Sequence, residues 1–131
     1  MNKIYMCSPL SSSYQKTVEL NQSQARDLCG MFIHLGLLPI APHIYFTQFL
    51  NDNDETQRLI GIKMGIELLK ECDIMYVYDT DKISNGMKEE INFVQEKDIP
   101  IIYESKIKLW EKYNNDEPIE DLMKILYRGI K

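Results

Sequence analysis

Short apolar segments alternate along the chain with longer segments of helical periodicity. The apolar segments are four runs, at residues 3–7, 37–41, 74–78 and 99–103. Between them, apolar positions recur every three or four residues, as they do on one face of a helix. Strands that alternate with helices are typical of a parallel sheet with right-handed crossovers. The pattern predicts an α/β protein, a three-layer Rossmann-like sandwich with a four- to five-stranded parallel sheet.

The helical segments carry sequence signals at their ends. Gly36 fits the C-terminal cap of the first helix. Asn53 or Asp54 suits the N-cap of the second helix, and Ser84 suits that of the third. The first predicted helix therefore ends near residue 35, and the second runs from about 54 to about 72. The third spans 85–97, and a last helix is predicted at 119–127.

Length and charge limit the kind of protein and its partners. The chain has 131 residues, which predicts a single domain over residues 1–131. Its formal net charge is -5, and its basic residues are scattered rather than clustered. Polymeric nucleic acid normally needs a clustered basic face, so we expect none as a partner.

The sequence also lacks several specialised features. It has no signal peptide and no stretch that could span a bilayer, so we expect no membrane partner. Its three cysteines have no metal-type spacing, and reduced thiols suit a cytoplasmic location. Residues 51–54 resemble the start of a calcium loop but lack the glycine and closing glutamate. A dinucleotide-binding glycine signature is also absent, so neither metal nor cofactor is expected.

Three predicted loops follow the carboxyl ends of strands, at residues 8–13, 42–53 and 79–84. Ligands of doubly wound sheets bind at this edge, where the strand order reverses. We therefore take four loop residues as candidate substrate-binding residues: Ser8, Pro9, His43 and Asp79. A structural role for the histidine is the alternative. Three aromatic residues follow it, at Tyr45, Phe46 and Phe49. They either stack on a base or pack in the core.

Glu90 is the most informative single residue of the chain. At about 100° per residue, it falls in the middle of the apolar face of its helix, between Met87 and Val94. Acidic side chains are seldom buried without a partner. Gly86, one turn earlier, would leave an opening toward which Glu90 leans. The pattern predicts a pocket with a carboxylate at its floor. Alternatively, Glu90 only forms a hydrogen bond with a neighbouring loop or with Tyr5.

The start of the same helix is a candidate anion site. Helix N-termini bind anions because backbone amides point outward there and the helix dipole is positive. Ser84, Asn85, Gly86 and Met87 are therefore candidate substrate-binding residues. The alternative for Ser84 is a role as N-cap alone.

Three short motifs resemble the nucleoside 2-deoxyribosyltransferase superfamily. They are KIY at residues 3–5, CDIM at 72–75, and S-x-G-x-x-x-E at 84–90. Residues 7–10, 41–50 and 84–87 further resemble small bacterial and phage members of that superfamily without an assigned activity. The resemblance covers most of residues 2–103. It implies the sandwich fold and a small-molecule nucleoside or nucleotide as substrate.

The resemblance also implies an activity and roles for two residues. Glu90 would be the nucleophile that attacks C1′ of the sugar, and Tyr5 would orient its carboxylate. The reaction would parallel retaining glycoside hydrolysis, with a covalent sugar intermediate. It would cleave or transfer the N-glycosidic bond of a nucleoside or a nucleoside 5′-monophosphate. The alternative for Tyr5 is an ordinary strand residue.

One departure from the superfamily pattern favours a different function. Members have an aspartate eight or nine residues before the position of Asp73, where this chain has Gly65 and Met64. A proton for the leaving base would then come from Asp79, Asp81 or Asp54. Otherwise the bond is not cleaved, and the alternative is a non-catalytic nucleotide-binding module that senses or sequesters its ligand.

A homodimer or larger assembly is expected on two grounds. Superfamily sites are often completed by a neighbouring subunit. Trp110, Tyr113 and Tyr127 add aromatic residues late in the chain, and aromatic residues are enriched at interfaces. They would equally serve to cover the last strand.

Overall fold

The computed structural model describes residues 2–8, 15–51, 53–79 and 83–107, with the backbone alone for 15–21. Pro9 and Asp81, the aromatic residues after position 107 and the helix expected at 119–127 lie outside the described residues. The described elements, in chain order, are β1 (Lys3–Cys7), α1 (Gln15–His34), β2 (Leu38–Ile40), α2 (Pro42–Phe46), α3 (Glu55–Leu69), β3 (Ile74–Val77), α4 (Asn85–Glu96) and β4 (Ile101–Tyr103).

The four described strands form one parallel sheet in the order β2-β1-β3-β4. β1 and β3 are central, and every residue of β3 is buried. The apolar run of β3 is thus a strand covered on both faces, as in parallel sheets generally, whereas the edge strands β2 and β4 are only partly buried. The predicted α/β fold with a four- to five-stranded parallel sheet is confirmed.

Alternation along the central strands divides the core into two layers. Ile4 and Met6 of β1 face α1, where Phe32 is fully buried. Tyr5 and Cys7 point to the opposite face, which is covered by α3 and α4. Because side chains alternate along a strand, one five-residue segment contributes to both layers of the sandwich.

The predicted helix ends are confirmed at three positions. Gly36 follows α1 with φ of +82°, a left-handed conformation that suits glycine. The side chain of Asp54 accepts a hydrogen bond from the Gln57 amide at the start of α3. Ser84 Oγ accepts one from the Met87 amide at the start of α4, at 3.2 Å. These caps fix where the helices begin relative to the strands before them.

The aromatic side chains that follow β2 are not packed in the core, which was one of the two alternatives for them. Pro42 begins the short helix α2, as suits a residue without a backbone donor. Tyr45 and Phe49 are 57% and 64% exposed, and the Tyr45 ring packs edge-on against Phe49 at 5.1 Å. These two rings, four residues apart, pack on each other at the surface instead of in the core.

Candidate functional site

The site lies where the strand order reverses. From β1 the chain passes to β2 on one side and then to β3 on the other side of β1. The carboxyl ends of β1 and β3 therefore meet at the switch point, where doubly wound proteins bind ligands. Ser8, which is buried, follows β1 directly. This edge of the sheet brings together Glu90 from α4, Tyr5 from β1 and His43 from α2.

Glu90 is buried in the apolar layer between the sheet and α4, with only 2% of its surface exposed. Met87, Ile91 and Val94 on the same helix are buried beside it. Burial raises the pKa of the Glu90 carboxyl from 4.5 to about 7, an effect that the Tyr5 hydroxyl partly opposes. The burial predicted from the helical pattern is confirmed.

Tyr5 faces Glu90 from the adjoining strand. Burial, and after it the nearby charge of Glu90, raises the pKa of the Tyr5 phenol well above 10, so the hydroxyl stays protonated. The Tyr5 hydroxyl is near enough to lower the pKa of the Glu90 carboxyl. Yet among the described residues neither it nor Glu90 Oε2 has a partner at ordinary hydrogen-bond distance. Buried polar atoms are normally satisfied, and these two are therefore suited to a bound ligand.

His43 is brought to the other oxygen of the same carboxylate. Its Nε2 atom lies 3.8 Å from Glu90 Oε1, and 26% of the histidine side chain is exposed. The Thr47 hydroxyl donates to the His43 carbonyl at 2.9 Å, and Gln22 of α1 donates to that hydroxyl at 3.2 Å. This chain of hydrogen bonds fixes the position of α2 relative to α1.

Gly65 is a further residue of the site, and its role is steric. A Cβ atom at this position would lie 2.7 Å from the Tyr5 hydroxyl, closer than such atoms approach. In the sequence, Gly65 stands out only as a departure from a family pattern. A glycine on the buried side of a helix interior was the available signal of close backbone approach. Met64, its neighbour, is half exposed.

The start of α4 is placed at the same edge as expected. Ser84 is an N-cap, so its structural role is established, whereas phosphate binding there stays a prediction. The opening predicted beside Gly86 is wrong, because Ile62 of α3 fills this space: its Cδ1 would be 3.5 Å from an added Cβ. The Cys7 thiol lies 4.0 Å from the Met87 carbonyl. Burial and then the charge of Glu90 raise the pKa of Cys7 well above 9, which keeps it a neutral thiol.

Asp79 has a structural partner. Its Oδ1 accepts from the Ser105 amide at 2.8 Å and its Oδ2 from the Ser105 hydroxyl at 2.6 Å. The carboxylate thus caps the helical turn at 104–107 that follows β4. Asp54, another candidate acid, caps α3. The substrate-binding role of Asp79 stays a prediction, as do those of Ser8 and Asn85.

Two further properties concern the described ranges as a whole. Within residues 2–8, 15–51, 53–79 and 83–107, no three histidine, cysteine or acidic side chains are grouped to hold a metal ion. The helices of the same ranges include none long and apolar enough to cross a membrane.

Similarity to solved structures defines the class of fold. A 2-deoxyribosyltransferase from the psychrotolerant bacterium Bacillus psychrosaccharolyticus has a TM-score of 0.56 at 20% identity, over 77% of this chain and 70% of that one. A 2-desoxiribosyltransferase from Leishmania mexicana has a TM-score of 0.52 at 15% identity, over 79% of this chain and 63% of that one. The chain thus spans less than two thirds of the second protein. The fold is that of the nucleoside 2-deoxyribosyltransferases.

The family is defined by sequence. Residues 2–104 match the family described as Domain of unknown function (DUF7768), and the chain belongs to it. No functionally curated protein matches the chain.

Proposed function

We propose that this protein cleaves or transfers the N-glycosidic bond of a nucleoside or a nucleoside 5′-monophosphate, with Glu90 as the nucleophile. The observation that carries the proposal is the buried Glu90 carboxyl at the β1/β3 switch point, whose Oε2 atom has no hydrogen-bond partner among the described residues. A carboxyl group whose pKa is raised by burial, as here, is a candidate functional group. The fold shared with 2-deoxyribosyltransferases supports the same chemistry.

The reaction would follow the double displacement of retaining glycosidases. A Glu90 oxygen attacks C1′ as the bond from C1′ to the base nitrogen breaks, and the bonding electron pair leaves with the base. The product is a sugar ester of Glu90, which water or a second base then resolves. The Tyr5 hydroxyl would orient the carboxylate before the attack. Because the Glu90 pKa is about 7, the reactive ionised form prevails above neutral pH.

Binding of a 5′-phosphate would use the start of α4. The amides of its first turn point toward the carboxyl edge of the sheet, and the helix dipole is positive there. Ser8 lies at the end of the adjoining strand β1 and supplies a further hydroxyl. Pro9, Asn85, Gly86 and Met87 complete the proposed contacts. The proposed ligand is a small molecule, bound without metal or cofactor.

A second function, binding without catalysis, is favoured by one observation. The superfamily pattern places its aspartate at the position of Gly65 or Met64. The close approach of Gly65 to the Tyr5 hydroxyl leaves no room for an acidic side chain at position 65, and Met64 is half exposed. A site that lacks this group would hold a nucleotide without releasing the base. The protein would then sense or sequester its ligand.

One experiment separates the two functions. The protein is incubated with a mixture of deoxynucleosides, ribonucleosides and their 5′-monophosphates, and released base is measured by chromatography. Intact-protein mass spectrometry after an acid quench detects the sugar ester. Glu90→Gln should abolish both signals, whereas Glu96→Gln, at an exposed position of the same helix, should retain them. A ligand-induced thermal shift without base release or ester would support the binding module instead.

A further inference from the structure

The imidazole of His43 approaches the nucleophilic end of the proposed site, not the leaving-group end. Its Nε2 atom is 3.8 Å from Glu90 Oε1. In retaining glycosidases, the acid that serves the leaving group stands about 5–5.5 Å from the nucleophile, because the sugar lies between them. A ring at 3.8 Å therefore acts on Glu90 itself.

We propose that His43 is a positioning residue for Glu90, and that the imidazole takes up the carboxyl proton so that Glu90 is ionised when the substrate is bound. This inference rests on the proposed function of Glu90 as nucleophile. The histidine is well placed for the role because Thr47 and Gln22 fix the backbone of α2. A long contact in a free enzyme can shorten when a ligand closes the site.

The step moves one proton from Glu90 to His43. The O–H bond of the Glu90 carboxyl breaks and its electron pair stays on oxygen. The proton forms an N–H bond with the lone pair of His43 Nε2. A neutral carboxyl and a neutral imidazole become a carboxylate and an imidazolium, so the net charge of the pair is unchanged. The two groups share one proton and titrate as a unit.

The other groups around Glu90 do not take up this proton. Tyr5 and Cys7 on β1 stay protonated, since burial raises the pKa of each. Glu89, the neighbour on α4, is exposed, and its negative charge opposes ionisation of Glu90. Among the described residues, His43 is the basic group that an ion-pair distance joins to Glu90.

Proton NMR of the imidazole rings tests the pair without reference to activity. The chain has two histidines, and His34→Gln assigns their signals because His34 is exposed at the end of α1. In the proposed pair, Glu90→Gln should lower the pKa of His43 by about one unit, since it removes a negative partner. The His34 signal should not move. An unchanged His43 titration in a folded Glu90→Gln protein would overturn the proposal.

If Glu90→Gln does not fold, the titration of Glu90 in a histidine variant tests the same pair. Carbon-13 NMR of the Glu90 carboxyl in His43→Gln should show a higher pKa than in the wild type or in His34→Gln. An identical Glu90 titration in all three proteins would equally overturn the proposal.

The pH profile of base release separates positioning from a merely structural role. In His43→Gln the acid limb of kcat/KM should move up by about one pH unit, which is about a tenfold loss below neutral pH. The loss should vanish at high pH, and His34→Gln should follow the wild type. An equal loss at every pH would contradict the proposal. If the wild type releases no base, the proposed function fails, and the NMR titrations alone decide whether the pair exists.

Discussion

The Tyr5 hydroxyl lies where the side chain of residue 65 would begin, because a Cβ on Gly65 would be 2.7 Å from it. Tyr5 is fully buried on a central strand, and its ring has little freedom to move away. The glycine thus allows α3 to pack directly on the tyrosine, whose hydroxyl faces Glu90. Helix packing and the geometry of the candidate site depend on the same contact.

Gly65→Ala should destabilise the protein through this contact alone. Alanine is preferred over glycine in a helix by about 1 kcal/mol, while overpacking costs about 1–3 kcal/mol, so we expect a net loss. In a Tyr5→Phe background, the nearest ring atom is Cζ, at 4.0 Å from the added Cβ. There the same change should be neutral or stabilising. Urea unfolding of the four proteins gives the coupling energy directly.

A matched control for this cycle is Gly30→Ala in α1. An added Cβ there meets no described atom within 4 Å. It should stabilise the protein by up to about 1 kcal/mol in both backgrounds. Equal effects of Gly65→Ala with and without the Tyr5 hydroxyl would show that the contact does not limit packing.

Glu90→Gln should stabilise the protein in a pH-dependent way. The folded-state pKa of Glu90 is raised from 4.5 to about 7, so the folded protein holds this proton more tightly than the unfolded chain. The wild type therefore loses stability as the pH rises from 4.5 to 7, by at most about 3 kcal/mol, and the penalty persists above 7. Glutamine cannot ionise. The stability difference between mutant and wild type should grow by about 1–3 kcal/mol between pH 5 and pH 8.

Urea unfolding at several pH values measures this difference, and Glu96→Gln provides the control at an exposed site. A Glu90→Gln protein that is less stable at every pH, by about 1–3 kcal/mol, would mean that the carboxyl serves as a buried hydrogen-bonding group. If such a mutant also released base at the wild-type rate, Glu90 would not be the nucleophile.

The protein should bind 5′-monophosphates at least about tenfold more tightly than the matching nucleosides, because one charge-assisted hydrogen bond contributes about 1.5–3 kcal/mol. Calorimetry measures both affinities. Ser84→Ala and Asp54→Ala each remove a helix N-cap and should lower stability by about 1 kcal/mol. Only Ser84→Ala should weaken the preference for the phosphate. Equal affinity of nucleotide and nucleoside for the wild type would contradict the phosphate site.

A homodimer or larger assembly is expected in solution. The ground is the resemblance to a superfamily whose sites are often completed by a neighbouring subunit, together with the aromatic residues late in the chain. Light scattering at micromolar concentration should give at least twice the mass of the 15.4 kDa chain. A monomeric mass across that range would contradict the expectation.

The sequence determined the fold because its signals are local. Strand runs, helical periodicity and the caps at Gly36, Asp54 and Ser84 each depend on residues close together in the chain, and they place every described strand. The burial of Glu90 was predictable for the same reason, since the 3.6-residue period fixes its face of the helix. Of the two alternatives for Tyr45 and Phe49, packing in the core is wrong, since both rings are exposed, and the sequence had no local signal for this.

Only the tertiary structure decided what surrounds Glu90. His43 is 47 positions away in sequence and Tyr5 is further, so no periodicity relates them to the carboxylate. The order of the strands brings β1 next to β3, and the packing of α2, α3 and α4 at the carboxyl edge then sets the distances. The steric role of Gly65 likewise depends on tertiary structure, since the sequence does not show that the Tyr5 hydroxyl lies where a side chain at position 65 would begin. Local periodicity specifies which face of an element is buried, whereas contacts between distant elements specify what that face meets.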